Sequence, residues 1–468
     1  MFKGILRGKK CDLLGFGISN APLAELLAEA GAEVTVRDEK AIPGEAELVR
    51  KGIRIITGEG YLNDISADFL FRSPGIRPDA GEIPAAVARG AVLTGETELF
   101  LDITPAYAVG ITGSDGKTTT TTLTHFFFKK AFEGTGKKAY VGGNIGTPLL
   151  PVVGEMTEND VAVVELSSFQ LMGGGKSPRR AAITNITPNH LNWHKDYAEY
   201  IEAKKNIFTR GAELLVTNAD NEITAGIAKN CGIDTILFSS AKKTFDEFSE
   251  FFPAGRKNRA VFLREGAICV SDGDKTEKLL DAADIILPGR HNIENYMTAI
   301  GLTLGLVTAT VYPDVAKTFG GVEHRLEFVR EFEGVKYYNS SIDSTPTRTA
   351  AALSALTKKP VIICGGYDKK IPFEPLAESL CRSAKAVVLT GATAGKIKKA
   401  IEECPEFPSS GLAVFEAAGF EDAVISAKNA ACPGDIVLLS PACASFDAFR
   451  NFEERGRRFK EIVLSFKN

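Results

Sequence analysis

The stretch AYAVGITGSDGKTTTTT, residues 106–122, carries the strongest local signal in the chain and indicates its fold class. Its apolar start predicts a buried strand, the segment Gly113–Gly116 predicts a turn, and the threonine-rich end predicts a helix. Strand–turn–helix units of this kind build α/β layers around parallel sheets. The rest of the sequence agrees, because strand-like and helix-like runs alternate almost throughout.

The same turn has the chemistry of a phosphate site. Gly113 and Gly116 let the backbone curl so that successive N–H groups point at phosphate oxygens, and the helix N-terminus adds partial positive charge. Lys117 can reach terminal phosphates, and the Thr118 hydroxyl can bind Mg²⁺. Ile111 stands where the standard G-x-x-x-x-G-K-[ST] motif has its first glycine. We interpret the turn as a nucleoside-triphosphate site rather than as a plain corner between strand and helix.

Composition and charge exclude several classes of protein. The 468 residues suggest about three domains. Hydrophobic residues (44%) and charged residues (24%) are balanced as in folded proteins, which excludes disordered, collagen-like and coiled-coil chains. The net charge is -4 and no basic block occurs, so no nucleic-acid partner is expected. No run is apolar enough to span a membrane and no targeting segment is visible, so we expect a cytoplasmic protein.

Three successive α/β units are predicted. The first, residues 1–102, has the strands CDLLGFG, AEVTVRD and ADFLFRSPG and fits a Rossmann-like domain. The second, residues 103–321, contains the phosphate turn, the strands VAVVEL, AAITNI, ELLVTNAD and DTILFSS and, near residues 251–274, a small antiparallel excursion. The third, residues 322–468, repeats a doubly wound pattern with the strands KYYNSS, PVIICGG, AVVLTG and DIVLLSPA. The eight cysteines stand singly, which predicts reduced and mostly buried thiols.

A second glycine turn lies near the N-terminus. Gly15-Phe-Gly17-Ile-Ser-Asn20 resembles half of a dinucleotide fingerprint, with Asn20 in place of the third glycine. Asp38 follows at the distance of a ribose-binding acid. Three interpretations stay open from this motif alone: an NAD site, a site for another diphosphate-containing ligand, and a structural turn.

An acidic residue and two histidines are candidate metal ligands. Glu165 closes the apolar strand VAVVE, and beside a phosphate loop a carboxylate there would hold Mg²⁺. The alternative is an acid at a strand end that faces solvent. His190 and His194 have the i, i+4 spacing of metal ligands on a helix, but no HExxH glutamate accompanies them. A dedicated zinc site is therefore not expected.

Lys204 is predicted to lie on the apolar, inward-facing side of a helix, which is unusual for a lysine. The segment 196–208 predicts an amphipathic helix with Tyr197, Ile201 and Phe208 on its apolar face. Lys204 falls on that face, whereas Lys205 points away from it. A lysine facing inward either extends its amine to solvent or has a specific charged partner.

Several motifs together resemble one known family. They are, in order, GITGSDGKTTTTT, GGNIG (Gly142–Gly146), ELSSFQL (Glu165–Leu171), ITPNHLNWH, EAKKNIF, GVEHRLE (Gly321–Glu327), GGYDKK (Gly365–Lys370) and SPACASFDAFRNFEERG (Ser440–Gly456). This series resembles the Mur ligases of peptidoglycan synthesis over essentially the whole chain, and ELSSFQL and SPACASFDAF are similar to the branch that adds D-glutamate. The resemblance implies a Rossmann-like UDP-substrate domain, a central P-loop-type ATPase domain and a Rossmann-like amino-acid domain.

The resemblance also implies an activity. It is the ATP-dependent, ADP-forming ligation of D-glutamate to UDP-N-acetylmuramoyl-L-alanine by a monomer, through an acyl phosphate. ATP would lie on Gly113, Ser114, Asp115, Gly116, Lys117, Thr118 and Thr119, with Asn292 and Asn295 by the adenine and Arg325 at the phosphates. Two Mg²⁺ ions would be held by Thr118 and Glu165, and by His190 and a carbamylated Lys204. Lys117, Glu165, His190 and Lys204 would thus be the catalytic set.

The two remaining sites follow in the same way. The UDP-sugar would contact Ile18, Ser19, Asp38, Glu39, Ser73 and Gly75, with Asn144 near its lactyl-alanine end. D-Glutamate would be held by Ser344, Lys369, Ser445 and Phe452.

The chain departs from the family pattern at three positions. Ser340 replaces an aspartate that helps to bind the nucleotide, and Asp343 is a candidate substitute for it. Ile342 replaces a lysine near D-glutamate, which leaves Lys369 as the main cation there. Asp115 replaces the more frequent loop asparagine.

Three rival functions follow from the sequence. One is a sibling ligase for L-alanine, a diamino acid or a folate glutamate (a folylpolyglutamate-type enzyme). The second is a dinucleotide-dependent oxidoreductase built on GFGISN, which leaves the GSDGKT loop unexplained. The third, given Ser340 and Ile342, is a nucleotide-gated binding protein without catalysis.

Overall fold

Short runs of branched apolar residues form strands, and helices separate these strands along the whole chain. The computed structural model describes residues 2–17 and 19–467. The chain forms two compact units. The first runs up to Ala283 and includes Ile293–Val315; the second comprises Asp284–Asn292 and the chain from Ala316 onward. The predicted α/β class is confirmed, since parallel sheets with helices between their strands occur in both units.

The first unit begins with a five-stranded parallel sheet in the order β3-β2-β1-β4-β5. Its elements are α1 (Phe2–Leu6), β1 (Lys10–Leu14), α2 (Ala21–Glu29), β2 (Glu33–Asp38), α3 (Glu45–Arg50), β3 (Arg54–Thr57), β4 (Phe69–Arg72), α4 (Ile83–Ala88), β5 (Val92–Thr94) and α5 (Glu96–Ile103). The carboxyl ends of β1, β2 and β4 meet at one edge of this sheet, which brings the GFGISN turn, Asp38 and Ser73 to that edge.

The same unit contains a nine-stranded sheet in the order β14-β13-β12-β11-β10-β9-β6-β8-β7. Its elements are β6 (Tyr107–Thr112), α6 (Lys117–Ala131), β7 (Ala139–Gly143), β8 (Val161–Glu165), α7 (Ser168–Leu171), β9 (Arg180–Ile183), α8 (Tyr197–Thr209), β10 (Leu214–Asn218), α9 (Glu222–Lys229), β11 (Asp234–Ser239), β12 (Asn258–Arg264), β13 (Ala267–Ser271) and β14 (Thr276–Asp281). Most of α10 (Arg290–Thr303), from Ile293 onward, and α11 (Val311–Ala316), up to Val315, also belong to this unit. Short 3₁₀ helices cover Leu150–Glu155, Phe245–Phe251 and Ala282–Asp284. Only β12–β14 pair antiparallel, as the sequence predicts for the excursion.

The second unit has a six-stranded sheet in the order β15-β16-β20-β17-β18-β19. Its elements are β15 (Glu327–Phe332), β16 (Val335–Asn339), α12 (Pro346–Ser354), β17 (Val361–Cys364), α13 (Glu374–Ser383), β18 (Ala386–Leu389), α14 (Ala394–Glu402), α15 (Phe407–Ser410), β19 (Ala413–Glu416), α16 (Phe420–Ala430), β20 (Ile436–Leu439) and α17 (Phe452–Ser465). The pair β15–β16 is antiparallel and the other pairs are parallel.

Strand burial explains which strands the sequence predicts. Every residue of β8, β17, β18 and β20 is buried, because both faces of these interior strands are covered, and continuous apolar runs mark them in the sequence. The strands that sequence analysis does not single out are β3, β5, β7, β14, β15 and β19. All six lie at sheet edges, where less apolar surface is needed.

The first two sheets share one apolar core. Phe71 and Phe100 belong to the same buried cluster as Leu149 and Val164 of the nine-stranded sheet's region. All eight cysteines are free and six of them are buried, as predicted. Among the described residues, none of the helices combines the length and apolarity that a membrane span requires.

Candidate active site

The phosphate turn joins β6 to α6 as predicted, and two neighbours explain its glycines. Gly113 has φ +149° and a Cβ there would overlap the hydroxyl of Thr184. Gly116 has φ +78°, and a Cβ there would lie 2.5 Å from Asn295 Oδ1. The turn is therefore pressed between the end of β9 and α10, and only glycine fits at these two positions.

Polar side chains hold the turn in place. Ser114 Oγ donates to the Thr187 carbonyl at 3.0 Å and lies 2.8 Å from the Tyr200 hydroxyl. The backbone N–H of Asp115 donates to Asn185 Oδ1 at 3.0 Å. Lys117 Nζ donates to the carbonyls of Gly113 and Ser114, each at 2.9 Å. The lysine thus lies over the turn that we interpret as the phosphate site.

The first turn of α6 carries the predicted metal-binding hydroxyl. Thr118 and Thr119 are half-buried at the start of the helix. Thr120 Oγ1 donates to Asn295 Oδ1 at 3.2 Å, which fixes α10 against this turn. Asn295, predicted to lie by the adenine, is therefore next to the phosphate turn. Asn292 belongs to the second compact unit, where its Nδ2 donates to the Pro288 carbonyl at 2.7 Å.

Glu165 ends β8 next to Ile111 of β6, beside the phosphate turn, and is almost fully buried at 1% exposure. Its Oε1 accepts a hydrogen bond from Asn144 Nδ2 at 2.8 Å. Its Oε2 is buried and has no hydrogen-bond partner within the described residues. A buried carboxylate oxygen without a donor fits a cation ligand. The alternative of a solvent-facing acid is wrong.

Lys204 has only 1% of its surface exposed, so its amine does not extend to solvent. The buried side of α8 also includes Tyr200, Ile207 and Phe208. Lys204 Nζ donates to the Gly113 carbonyl at 2.7 Å and lies 3.4 Å from Thr112 Oγ1. Helix α8 therefore places this amine in contact with the Gly113 carbonyl, behind the phosphate turn.

Burial lowers the pKa of Lys204 well below its ordinary value, and the charge of Lys117 lowers it further. Asp115 and Glu165 oppose this shift but do not cancel it. Loss of the proton from this amine is therefore easier than from an exposed lysine. Lys205 is different, because it pairs with Glu202 on the outer side of the helix.

His190 lies in a turn with φ 55°, not on a helix. Its ring contacts that of Phe169, with 4.9 Å between centroids. Partial burial and the charges of Lys117 and Lys204 lower the pKa of His190. The neutral imidazole, which is the metal-binding form, is therefore favoured.

His194 does not join His190 in a pair of ligands. Its ring is buried and is held by Glu199 Oε1 at 3.1 Å from Nδ1 and by Ser168 Oγ at 2.9 Å from Nε2. Within the described residues, no three His, Cys, Asp or Glu side chains gather as a metal site. The donors around the turn are instead one hydroxyl, one carboxylate, one imidazole and the Lys204 amine. The hydroxyl and the carboxylate fit Mg²⁺ that takes its other ligands from phosphate and water, whereas an unmodified lysine amine does not.

The predicted UDP-sugar residues meet at the edge of the first sheet. Asp38 Oδ2 accepts from the Phe16 N–H at 2.7 Å, and its Oδ1 accepts from the Lys40 N–H at 2.8 Å. The Ser73 N–H donates to the Leu14 carbonyl at 2.8 Å. Ser19 and Glu39 follow the same two strand ends, and Gly75 follows the third. Ile18 lies outside the described residues.

Asn20 explains the missing third glycine of the GFGISN turn. Its Nδ2 donates to the carbonyls of Leu14, Gly15 and Phe71 at 3.2, 2.9 and 3.0 Å. The side chain is buried and ties the end of β1 to β4. This part of the motif is therefore structural.

The second unit brings the predicted amino-acid residues into one region. Lys369 Nζ donates to Ser344 Oγ at 3.3 Å. The Tyr367 N–H donates to the Ala444 carbonyl at 2.9 Å, which brings the Lys369 loop alongside the segment that contains Ser445. Phe452 follows in the same segment, and its carbonyl accepts from Ser341 Oγ at 2.8 Å.

Two of the three departures from the family pattern, Ser340 and Ile342, also lie in this unit. Asp343 Oδ2 accepts from Ser440 Oγ at 2.8 Å. Burial raises the pKa of Asp343, while a hydrogen bond from Ser340 and the charges of Arg348 and Arg325 oppose the shift. Asp343 therefore lies beside the serine that replaces the family's aspartate, and Arg325 lies near it.

Sequence reasoning missed two arginines of this region. Arg348 Nη1 donates to the Ile342 carbonyl at 3.3 Å, at the position where the family has its lysine. Arg455 is buried and donates to carbonyls of Ser341, Cys443 and Ala444 at 2.9–3.1 Å. The sequence could have indicated Arg348, because it is a cationic residue only six positions after Ile342, in the first turn of α12. Nothing in the sequence indicates that Arg455 is buried.

Known proteins are similar to this chain over almost its whole length. The Mur ligase middle domain matches residues 111–303, and the Mur ligase glutamate ligase domain matches residues 324–443. The UDP-N-acetylmuramoylalanine–D-glutamate ligase of Clostridium kluyveri is 45% identical over 470 residues, covering 99% of this chain and 98% of the relative. That of Acetivibrio thermocellus is 43% identical over 475 residues, covering 100% and 98%.

Solved structures share the fold at low identity. The UDP-N-acetylmuramate–alanine ligase MurC of Thermotoga maritima has a TM-score of 0.53 at 19% identity, covering 98% of this chain and 100% of its own. MurF of Acinetobacter baumannii has a TM-score of 0.55 at 15% identity, covering 98% and 92%. The resemblance that the motifs carry is confirmed by the full-length relatives. The chain belongs to the Mur ligase family and, within it, to the UDP-N-acetylmuramoylalanine–D-glutamate ligases.

Proposed function

We propose that this protein is an ATP-dependent ligase that joins D-glutamate to UDP-N-acetylmuramoyl-L-alanine in peptidoglycan synthesis, forming ADP and phosphate. One observation carries the proposal. In this chain, which is similar to D-glutamate-adding ligases over its whole length, the buried carboxylate of Glu165 and the buried amine of Lys204 both lie beside the phosphate turn. We further propose that it acts in the cytoplasm as a monomer.

We propose three domains, at residues 1–102, 103–321 and 322–468, each built on one of the three sheets. The first and third would be Rossmann-like, and the central one would be a P-loop-type ATPase domain. The parallel strands of each sheet support this division, because ligands of open α/β sheets bind at the carboxyl ends of the strands. The boundary at 321 lies close to Ala316, where the second compact unit resumes.

ATP would bind to the turn 113–119. The N–H groups of the turn and the start of α6 would face the phosphates, and Lys117 would add a positive charge there. Asn295 would lie near the adenine, in keeping with its contact with the turn. Asn292 would join it, and Arg325 would approach the phosphates from the third domain.

Two Mg²⁺ ions, when bound, would neutralise charge during phosphoryl transfer. Thr118 and Glu165 would hold one ion, and the unpartnered Glu165 Oε2 supports this assignment. His190 and Lys204 would hold the second. Because the Lys204 amine is buried with a lowered pKa, it is suited to react with CO₂ and give a carbamate. The carbamate would supply two oxygen ligands where an ammonium would repel the ion.

The UDP-sugar would lie at the edge of the first sheet, against Ile18, Ser19, Asp38, Glu39, Ser73 and Gly75. Asn144 would contact the lactyl-alanine end. Its hydrogen bond to Glu165 supports this, because the alanyl carboxylate must come close to the γ-phosphate beside that carboxylate. The alanyl carboxylate would then be the phosphate acceptor.

The reaction would proceed in two steps. An alanyl carboxylate oxygen bonds to the γ-phosphorus while the bond to the ADP oxygen breaks, which gives an acyl phosphate. The neutral amine of D-glutamate then attacks the carbonyl carbon, and the tetrahedral intermediate expels phosphate and loses a proton to form the amide. Water must be kept out, since it would hydrolyse the acyl phosphate.

D-Glutamate would bind to Ser344, Lys369, Ser445 and Phe452. Its two carboxylates need more than one cation, and Ile342 supplies none. Arg348, which reaches the Ile342 carbonyl, would provide the second positive charge. Asp343 would take over the role of the aspartate that Ser340 replaces, in keeping with the hydrogen bond between them.

The test is phosphate release by the purified protein with ATP and Mg²⁺. Release that requires both UDP-N-acetylmuramoyl-L-alanine and D-glutamate is expected. If L-alanine, a diamino acid or glutamyl folate substrates were preferred, the protein would be a sibling ligase. Phosphate release independent of both substrates would contradict the proposal and indicate a simple ATPase, and no release at all would favour a binding protein without catalysis.

A further inference from the structure

Trp193, the only tryptophan of the chain, touches two predicted sites at once. It lies three residues after His190, in the same turn. Its indole N–H donates to the carbonyl of Gly75, in the loop predicted to contact the UDP-sugar, at 3.0 Å. Its ring packs on Phe169, with 4.4 Å between centroids, and the guanidinium of Arg77 lies 5.0 Å from its centroid.

Arg77 is the second connection between the loop 73–79 and the turn 189–194. Its Nη1 donates to the Trp193 carbonyl at 2.7 Å, and its Nη1 and Nη2 each lie 3.0 Å from an oxygen of Glu199. Its Nε donates to Asp79 Oδ1 at 2.8 Å. These bonds raise the pKa of Arg77 and lower that of Glu199 to about 2, so both groups are charged at neutral pH.

The contacts continue to the residues predicted to bind metal. Glu199 Oε1 lies 3.1 Å from His194 Nδ1, and the ring of His194 stacks on Phe169 at 5.7 Å. Phe169 in turn contacts the His190 ring. Glu199 is in the first turn of α8, the helix that carries Lys204. The loop 73–79 is therefore bonded to the turn and the helix that bear the two predicted ligands of the second ion.

We propose that Arg77 and Trp193 are positioning residues that couple the UDP-sugar loop 73–79 to the turn that carries His190, so that UDP-substrate and Mg²⁺ strengthen each other's binding. The inference rests on the proposed function. The physical reason is that both segments share one set of contacts, so ordering either segment lowers the entropy lost when the other is ordered. Coupling of this kind is reciprocal by thermodynamic necessity.

A merely structural role predicts something different. If the contacts only stabilise the fold, their loss lowers the melting temperature without changing the ratio of two binding constants. The quantity to measure is therefore the coupling factor, the dissociation constant of UDP-N-acetylmuramoyl-L-alanine without Mg²⁺ divided by that with saturating Mg²⁺. Trp193 supplies the signal, because its fluorescence reports directly on the loop that the ligand would contact.

The experiment titrates the full-length protein with UDP-N-acetylmuramoyl-L-alanine in the two conditions, with a non-hydrolysable ATP analogue present in both so that the phosphate ligands of the ion are supplied without turnover. We expect a coupling factor of at least about fivefold for the unmodified protein, the lower end of ordinary allosteric coupling. Arg77→Ala should bring the factor close to one. Arg77→Lys, which keeps a cation over the ring but loses the paired bonds to Glu199, should give an intermediate factor.

The matched control is Arg179→Ala. Arg179 also pairs with a glutamate, Glu213 at 2.8 Å, and lies over an aromatic ring, that of Tyr107 at 4.3 Å. It lies at the opposite, amino end of the strands, so the coupling factor should stay unchanged. Trp193→Phe should also lower the coupling factor, since it loses the hydrogen bond to the Gly75 carbonyl. Its binding is measured by calorimetry, because the tryptophan fluorescence is lost.

A factor near one in the unmodified protein would overturn the proposal, and so would an unchanged factor in a folded Arg77→Ala protein. If Arg77→Ala does not fold, the Arg77→Lys and Trp193→Phe factors decide in the same way. Failure of the proposed function is separate from either result, because it would appear as absent D-glutamate-dependent phosphate release by the unmodified protein.

Discussion

Replacing Lys204 by alanine tests the proposed metal site most directly. The amine lies 2.7 Å from the Gly113 carbonyl at the back of the phosphate turn, in a buried position. As a carbamate it would place one negative charge beside a divalent ion. Even a single pair of unit charges about 4 Å apart interacts by about 4 kcal/mol at an effective dielectric of about 20. That energy is about a thousandfold in rate, and we expect kcat/KM to fall by about that factor.

The neighbouring lysine is the matched control. Lys205→Ala removes the same side chain one position along the helix, but Lys205 pairs with Glu202 at the surface. An exposed pair contributes no more than about 1 kcal/mol, so the activity should change by less than about fivefold. Acetate or propionate should partly restore the Lys204→Ala enzyme, because the four side-chain atoms removed beyond Cβ leave space for a carboxylate beside the ion.

The assay is phosphate release, combined with a measurement that does not depend on turnover. Enzyme equilibrated with ¹³C-bicarbonate should show a carbamate carbon signal by NMR, and the signal should be absent from Lys204→Ala but present in Lys205→Ala. Removal of CO₂ should lower the activity, and bicarbonate should restore it. Full activity of a CO₂-free enzyme with no carbamate signal would refute the reasoning, as would a Lys204→Ala enzyme with nearly normal turnover.

Three further predictions concern other parts of the protein. Lys117→Ala should abolish ADP formation yet leave UDP-substrate binding, measured by calorimetry, nearly unchanged, because the two sites lie on different sheets; near-normal turnover would contradict the ATP site. Lys369→Ala should raise the KM for D-glutamate at least tenfold, since losing one charged hydrogen bond costs about 1.5–3 kcal/mol; a rise in the KM for ATP alone would move the amino-acid site elsewhere. Burial raises the pKa of Glu98 to about 7, with the charge of Arg72 opposing, so this group stabilises the fold at low pH and that contribution is lost as the pH rises from about 4.5 to 7. Denaturant unfolding should therefore show Glu98→Gln gaining about 3 kcal/mol relative to the unmodified protein between pH 4.5 and pH 8, and a pH-independent difference would contradict the assignment.

The sequence was enough to predict those helices and strands whose structure depends on residues close together in the chain. The interior strands, such as Val161–Glu165, are continuous apolar runs because both faces are buried. The helix Tyr197–Thr209 follows from its apolar spacing and from Asp196, whose side chain accepts the Glu199 N–H at 2.8 Å as its N-cap. The edge strands were not predicted, since one exposed edge relaxes the need for apolar residues.

The candidate site was predicted in part for the same reason. The phosphate turn is a local structure, in which glycines, a lysine and a helix start follow one another along 110–119. The inward direction of Lys204 is also local, because it follows from helical spacing. The contact that the amine makes does not follow from nearby sequence, because its partner, the Gly113 carbonyl, is 91 residues away in the chain.

The sequence by itself therefore determined the α/β class, the phosphate turn and, through its motifs, the family. Only the tertiary structure decided that Glu165 Oε2 is buried without a partner among the described residues, that Asn20 ties β1 to β4, and that Arg77 and Trp193 join the two predicted sites. The physical reason is the range of the interactions. Periodicity and turn chemistry act over a few residues, whereas burial and ion pairing depend on segments that only the packed sheets bring together.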